Sequence, residues 1–228
     1  MEDKEKVGRQ AATLVKDGMK VGIGSGSTAR FFIEALAERV KAENLALRLV
    51  ATSEESKTLA ESLGLKIEAL NEVGPLDLTI DGVDEFTDEM NGIKGGGGCL
   101  LEEKIVAVNS ERVIWMAEER KHVEKLGAFP LPIEVIKNGS ELLKKRLQEK
   151  GYRPEWRLLA SGERFHTDND NYILDLHLEQ IEDPHTLHDE LIHMVGVVET
   201  GLFLNMIENV LLASEGETYW TTDKPLNA

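Results

Sequence analysis

Residues 20–40 read KVGIGSGSTARFFIEALAERV. KVGIG is a short apolar run of the kind that forms a buried strand. Phe31, Phe32, Ala35, Leu36 and Val40 then recur on one side of a helix, whose start the spacing places near Ser27 or Thr28. Strand, glycine loop and helix therefore follow in immediate succession. Upstream, Val7, Ala11, Leu14 and Val15 share a helical face between Glu2 and Asp17, with Gly18 as the stop. Downstream, LRLVAT (47–52) reads as the next strand. Thr52 with Glu55 makes a capping box for a helix through Leu63, which Gly64 ends. LKIEAL (65–70), LDLTID (76–81) and RVIWMA (112–117) add three strands. Strands alternating with helices imply an α/β fold, a Rossmann-like, mostly parallel sheet with helices on both faces.

The rhythm changes at GAFPLPIEVI (127–136), where two prolines punctuate the chain. From there the pattern gives a strand at Ile133–Ile136, a helix at Ser140–Lys150 and strands at Glu155–Ala160 and Tyr172–Leu178. A helix capped by Asp183 with Pro184 in its first turn follows, then a strand at Val197–Thr200. That βαββαβ order is a ferredoxin-like unit. After Gly201, LFLNM and NVLLA read as strands rejoining the first sheet. The expected organisation is an α/β domain from residues 1–127 and 201–228, with a smaller α+β domain, 128–200, inserted into it.

The 228 residues carry 26 basic and 42 acidic side chains, a formal charge of −16, which argues against nucleic acid or an anionic membrane as partner. A pocket's local field can still favour a small anion. The lone cysteine, Cys99, excludes an internal disulfide framework, and no run approaches the ~18 apolar residues of a membrane span. The opening MEDKEKVGRQ lacks an apolar signal core, so a cytoplasmic protein is the expectation.

Three loops carry chemistry. GIGSGSTA (22–29) sits after a strand and opens a helix, where free N–H groups and the helix dipole favour an anion. Ser25, Ser27 and Thr28 add hydroxyl donors. A dinucleotide reading would need an acid at the end of the next strand, where Ala51, Thr52 and Ser53 stand instead. LDLTIDGVDE (76–85) places Asp81 where its strand ends and Asp84 across the turn, although aspartates are also ordinary turn residues. In KGGGGCLLEEK (94–104), glycines let successive N–H groups converge on developing negative charge, Lys94 adds a positive charge, and Glu102 or Glu103 offers a base. The spacing of Leu101, Ile105 and Val108 assigns them to the buried face of the following helix, but does not choose between the two glutamates. An anion cradle, paired aspartates and this lysine–glycine–glutamate set are parts for moving protons on a small phosphorylated hydroxy-carbonyl compound.

GSGSTA, DGVDE and KGGGGCLLEEKI, with ERK at 119–121 and FPLPIEVI, resemble the signature blocks of the type A ribose-5-phosphate isomerase family, in order along nearly the whole chain. The resemblance implies metal-independent, cofactor-free interconversion of ribose 5-phosphate and ribulose 5-phosphate through a cis-enediol. It places Glu103 on the proton-abstracting glutamate, and Asp81, Asp84 and Lys94 on ring-opening and proton-shuttling residues. Ser25, Gly26, Ser27 and Thr28 fall on the phosphate loop and Lys121 on a further substrate contact. Gly82, Val83, Gly95, Gly96 and Gly97 complete the implied substrate-binding set. The family is usually oligomeric, which implies a homodimer or homotetramer. Ser25, Val83, Cys99 and Leu101 depart from the family pattern without removing a proton carrier. Cys99 has no histidine near it in sequence and reads as a small filler. The tail from Ala213 is longer than the family's usual one.

Two other classes of protein share these parts. Sugar-phosphate-sensing regulator domains share such a core, but carry a DNA-binding segment ahead of it where this sequence has one helix. Other sugar-phosphate isomerases or amino-sugar phosphate deaminases would use similar parts. His185, His188 and His193 fall on one helix, but a closed metal site needs further ligands, so a solvated face is expected there.

Overall fold

The computed structural model describes residues 3–222. The chain divides into two compact units, 1–83 with 102–122 and 205–228, and 84–101 with 123–204. The second unit thus takes in residues 84–101 as well as the 128–200 stretch expected from sequence.

In order, the elements up to residue 82 are α1 (Asp3–Ala12), β1 (Lys20–Ile23), α2 (Ser27–Glu43), β2 (Arg48–Ala51), α3 (Glu54–Ser62), α4 (Leu70–Val73) and β3 (Leu78–Gly82). Two-residue strands β4 (Glu85–Phe86) and β5 (Gly92–Ile93) precede α5 (Leu100–Val108) and β6 (Val113–Glu118). Then come β7 (Leu131–Val135), α6 (Ser140–Glu149), β8 (Pro154–Trp156), β9 (Tyr172–Leu176), α7 (Pro184–Ile192), β10 (Val197–Thr200) and β11 (Leu202–Phe203). The last two strands are β12 (Asn209–Ser214) and β13 (Glu217–Trp220).

The first unit is built on a six-stranded sheet ordered β13-β12-β6-β3-β1-β2, parallel except for β13. From β1 the chain steps outward to β2, then returns to β3 on the other side. The carboxyl ends of β1 and β3 therefore flank a topological switch point, where open parallel sheets offer a crevice. On one face, Val7 and Ala11 of α1 and Phe32 and Leu36 of α2 pack with Val21, Ile23 and Ile80. Complete burial of Phe32 stabilises the fold by roughly 1.5–3 kcal/mol relative to exposure. A smaller cluster joins Val50, Val73, Leu76 and Val106. Val106 sits over Gly22, where an added Cβ would come within 2.7 Å of it, so this backbone contact fixes the seat of α5.

The second unit has a four-stranded antiparallel sheet ordered β10-β7-β9-β8, the order of a ferredoxin-like fold, with Ile133, Leu143, Leu147, Leu174 and Leu191 in its core. Asp183 caps α7, accepting from the N–H groups of His185 and Thr186, with Pro184 in the first turn.

Several local expectations are corrected. The cap of α3 is Ser53, which accepts from Ser56 N–H, because Thr52 is drawn into a hydroxyl network described below. Of LKIEAL, only Ile67 bridges to Leu49, and Leu70 starts a short helix. LFLNM does not join the first sheet: β11 pairs with β5 in a three-stranded sheet with β4, whereas β12 does rejoin it, parallel to β6. The first helix ends at Ala12, well before Gly18. On α5, Ile105 and Val108 are exposed (37% and 59%), while Leu100, Glu103, Lys104, Val106 and Ala107 are buried. Apart from the adjacent Glu102, Glu103 and Lys104 the helix is apolar, with Leu100, Leu101, Ile105, Val106, Ala107 and Val108 spread over several sides, so periodicity does not say which side meets the sheet. Of the long tail, residues 213–222 complete β12 and make β13, and 223–228 lie outside the described residues.

Candidate active site

In the first unit, the loops after β1 and β3 are joined through one carboxylate. Asp81, 2% exposed, accepts hydrogen bonds at Oδ1 from Ser25 N–H (2.9 Å) and Gly82 N–H (2.7 Å). Register brings them there, because Ile23 pairs with Ile80 and Gly24 N–H donates to Ile80 O. A side chain at Gly24 would put its Cβ 2.1 Å from Asp81 Oδ1, so only glycine lets the two loops meet.

Ser25 Oγ turns toward Thr52 Oγ1 (2.7 Å) and Ser53 Oγ (2.8 Å), and Ser56 donates to Gly24 O. This network anchors the loop. It was not evident from sequence, because Thr52 and Ser53 lie beyond a different strand. The helix opening itself has Gly26 as N-cap with no side chain capping it, which leaves the first-turn N–H groups without an intrahelical partner. Lys4 Nζ donates to Ser27 Oγ at 3.0 Å, placing a positive charge beside that N-terminus. Sequence reasoning missed Lys4, since nothing in its local pattern separates it from the other charges of α1.

Glu103, 6% exposed, lies one helical turn before Val106, whose contact with Gly22 seats the helix. Burial separates it from its half-exposed neighbour Glu102. Lys121 ends a 3-10 turn after β6 and donates to Val83 O, so that Val83 and Gly82 are tied to the same edge of the sheet. The turn is held by Glu119, whose carboxyl lies below the usual range because Ser214 and Tyr219 donate to it.

The second unit holds Asp84, Lys94 and the glycine run. Asp84 Oδ2 accepts from Gly96 N–H at 2.8 Å. Lys94 is 3% exposed, donates its N–H to Gly201 O, and carries its ammonium 5.7 Å from the centre of the Phe203 ring, a cation–π contact. Gly95, at φ +99°, takes a conformation that L side chains rarely adopt. Gly96 and Gly97 are exposed and Cys99 is half-buried.

On α7, His188 shares a hydrogen bond with Thr200 Oγ1 (2.8 Å) and His193 with Asp189 O (2.5 Å), while His185 is exposed. No group of three metal-ligating side chains converges among the described residues. No helix among them is long and apolar enough to cross a membrane.

Residues 48–217 match the model of the family described as ribose 5-phosphate isomerase A (phosphoriboisomerase A). The chain belongs to this family. A ribose-5-phosphate isomerase A of Lactiplantibacillus plantarum is 49% identical over 209 residues, covering 92% of each chain. The solved structure of ribose 5-phosphate isomerase A from Methanocaldococcus jannaschii superimposes with a TM-score of 0.90 at 37% identity, covering 95% of this chain and 96% of that one. A D-ribose-5-phosphate isomerase solved in complex with phospho-erythronic acid gives 0.91 at 31% identity, covering 95% and 96%. Membership makes the protein an isomerase of carbohydrate metabolism, and the likeness of fold extends over both units rather than over the parallel sheet alone.

Proposed function

We propose that the protein interconverts ribose 5-phosphate and ribulose 5-phosphate in the pentose phosphate pathway of the cytoplasm, through an enediolate, with Glu103 as the general base. The observation that carries this reading is the buried carboxylate of Glu103, on the first turn of a helix seated against Gly22 and led in by the glycine run. The substrate phosphate docks at the opening of α2, on the N–H groups of Gly26, Ser27 and Thr28, with Lys4 adding charge. Burial of Glu103 limits competition from water for the proton it takes.

In the forward direction Glu103 removes the C2 proton of the open-chain aldose, and the electron pair moves through the new C1–C2 double bond onto O1. A proton passes from the O2 hydroxyl to O1, and Glu103 returns its proton to C1, giving the ketose with no net gain or loss of atoms. Asp81 and Asp84 serve ring opening and the hydroxyl proton transfers. Lys94 and the N–H groups of the glycine run stabilise the enediolate electrostatically, so that the chemistry needs no metal. The phospho-erythronic acid bound by the structural relative is a four-carbon sugar-acid phosphate, which supports a carboxylate-like, negatively charged intermediate.

The experiment is incubation of purified protein with ribose 5-phosphate in deuterium oxide, followed by NMR. Ketose formation with deuterium entering at the exchanged carbon is expected. Ligand binding without turnover would instead make this a sugar-phosphate-binding protein. We propose also that the chain assembles as a homodimer or homotetramer, to which the exposed Ile105 and Val108 on α5 lend support. Light scattering at known concentration tests it, and a monomer at micromolar concentration would refute it.

A further inference from the structure

Arg157 lies just beyond β8, on a segment the sequence marked only as a strand of the smaller unit. Its backbone is fixed on both sides, since its N–H donates to Ile173 O and its carbonyl accepts from Phe165 N–H. Its guanidinium is engaged in two directions. Nε and Nη2 form a fork with the two carboxylate oxygens of Asp175, Nε at 3.0 Å from Oδ2. Nη1 donates to the carbonyls of Gly95 (2.6 Å) and Gly96 (3.1 Å). Both partners of the ion pair are largely buried, 14% and 19% exposed.

This arrangement has a directional consequence. In a trans peptide the C=O and the N–H of one unit point opposite ways. Holding the Gly95 and Gly96 carbonyls against the guanidinium turns the N–H groups of Gly96 and Gly97 away from it. Gly96 N–H meets the Asp84 carboxylate, and Gly97 is exposed. A cation on the carbonyls also polarises these peptides, which strengthens their N–H groups as donors. The run is also held by Gly98 N–H on Gly95 O and by Asp84 on Gly96 N–H, and Gly95 at φ +99° shows that the conformation Arg157 meets is one that L side chains rarely adopt.

We infer that Arg157, oriented by Asp175, is a positioning residue for catalysis: it sets the direction and strength of the glycine-run donors and holds Gly96 N–H on the Asp84 carboxylate. This rests on the isomerase reading above, in which those donors stabilise the enediolate. Arginine is required because its planar fork serves a carboxylate and two carbonyls together, which a lysine point charge does not.

The test compares wild type, Arg157→Ala and Asp175→Asn in ribose 5-phosphate isomerisation, with folded protein quantified by thermal melting. In Arg157→Ala, kcat should fall by roughly 10- to 100-fold, the scale of a small misplacement of catalytic groups, with KM changed far less. Added millimolar guanidinium ion should restore part of that loss and leave wild type unchanged, whereas urea should restore nothing. Asp175→Asn keeps the side chain's size, is the variant to rely on if Arg157→Ala does not fold, and should lower kcat in the same sense. A kcat within twofold of wild type in both variants would overturn the inference, as would a loss that tracks only the amount of unfolded protein and resists guanidinium. Wild type that fails to isomerise the substrate would defeat the underlying functional reading instead, so the two failures are distinguishable.

Discussion

Gly24, the residue after β1, and Asp81, on the neighbouring parallel strand β3, sit so close together that a Cβ on the glycine would lie 2.1 Å from Asp81 Oδ1 and 2.5 Å from its Cα. The backbone of the anion loop and the carboxylate of the next loop are therefore one assembly, because Asp81 also accepts the N–H of Ser25. Gly24→Ala has no flexible side-chain end to push aside. Overpacking of about 1–3 kcal/mol is expected, with a lower melting temperature and a fall in kcat/KM larger than the loss of folded protein explains. A variant as active and stable as wild type would show that the two loops move apart at no cost.

The adjacent glutamates separate base from bystander. Glu103→Gln keeps size and hydrogen bonding but cannot take the C2 proton, so kcat should drop by at least ~100-fold while substrate binding largely persists. Glu102→Gln should stay within a few-fold of wild type. Solvent-deuterium exchange at C2, followed by NMR in both variants, decides the assignment. Exchange that survives in the Glu103 variant and stops in the Glu102 variant would reverse it.

Phosphate recognition at the start of α2 should be electrostatic. Wild type should discriminate strongly against unphosphorylated ribose, and Lys4→Ala should raise KM for ribose 5-phosphate with a smaller effect on kcat, the difference shrinking as ionic strength rises. Equal specificity constants for ribose and its phosphate would remove that role from Gly26, Ser27 and Thr28.

Turnover should survive exhaustive chelation, since the charge stabilisation assigned to Lys94 and the glycine-run N–H groups involves no metal ion. Activity abolished by EDTA and restored by one specific divalent cation would contradict that assignment.

In the second unit, Asp183 should make α7 pH-sensitive. Its carboxyl lies below the usual range because the Thr186 hydroxyl and the N–H groups of Thr186 and His185 donate to it. A depressed folded-state value means that this contribution is present above the unfolded value, about 3.9, and is lost as pH falls through the folded one. The difference in melting temperature between wild type and Asp183→Ala should thus narrow on acidification from pH 7. A constant or widening difference would show that the charge on the cap contributes nothing.

Sequence alone determined the parts whose signals are local. The KVGIG strand, the glycine opening of α2 and the Asp183–Pro184 start of α7 are written in nearest-neighbour chemistry, as is the βαββαβ succession of elements in the smaller unit. Which side is buried, in a helix with apolar residues on several sides, is not local. Only the seat of Val106 over Gly22 decided that α5 buries Glu103 and leaves Ile105 and Val108 exposed. Thr52 reads locally as a helix cap, yet it was diverted to Ser25, 27 residues away in sequence, by the parallel pairing of β1 with β2. Arg157 likewise carries no motif, and reaches Gly95, 62 residues earlier, because β8 and β9 deliver it there. Short-range patterns specify what each segment can become, whereas hydrogen bonds between residues far apart in sequence exist only after strand register has brought their partners within 3 Å or so of each other.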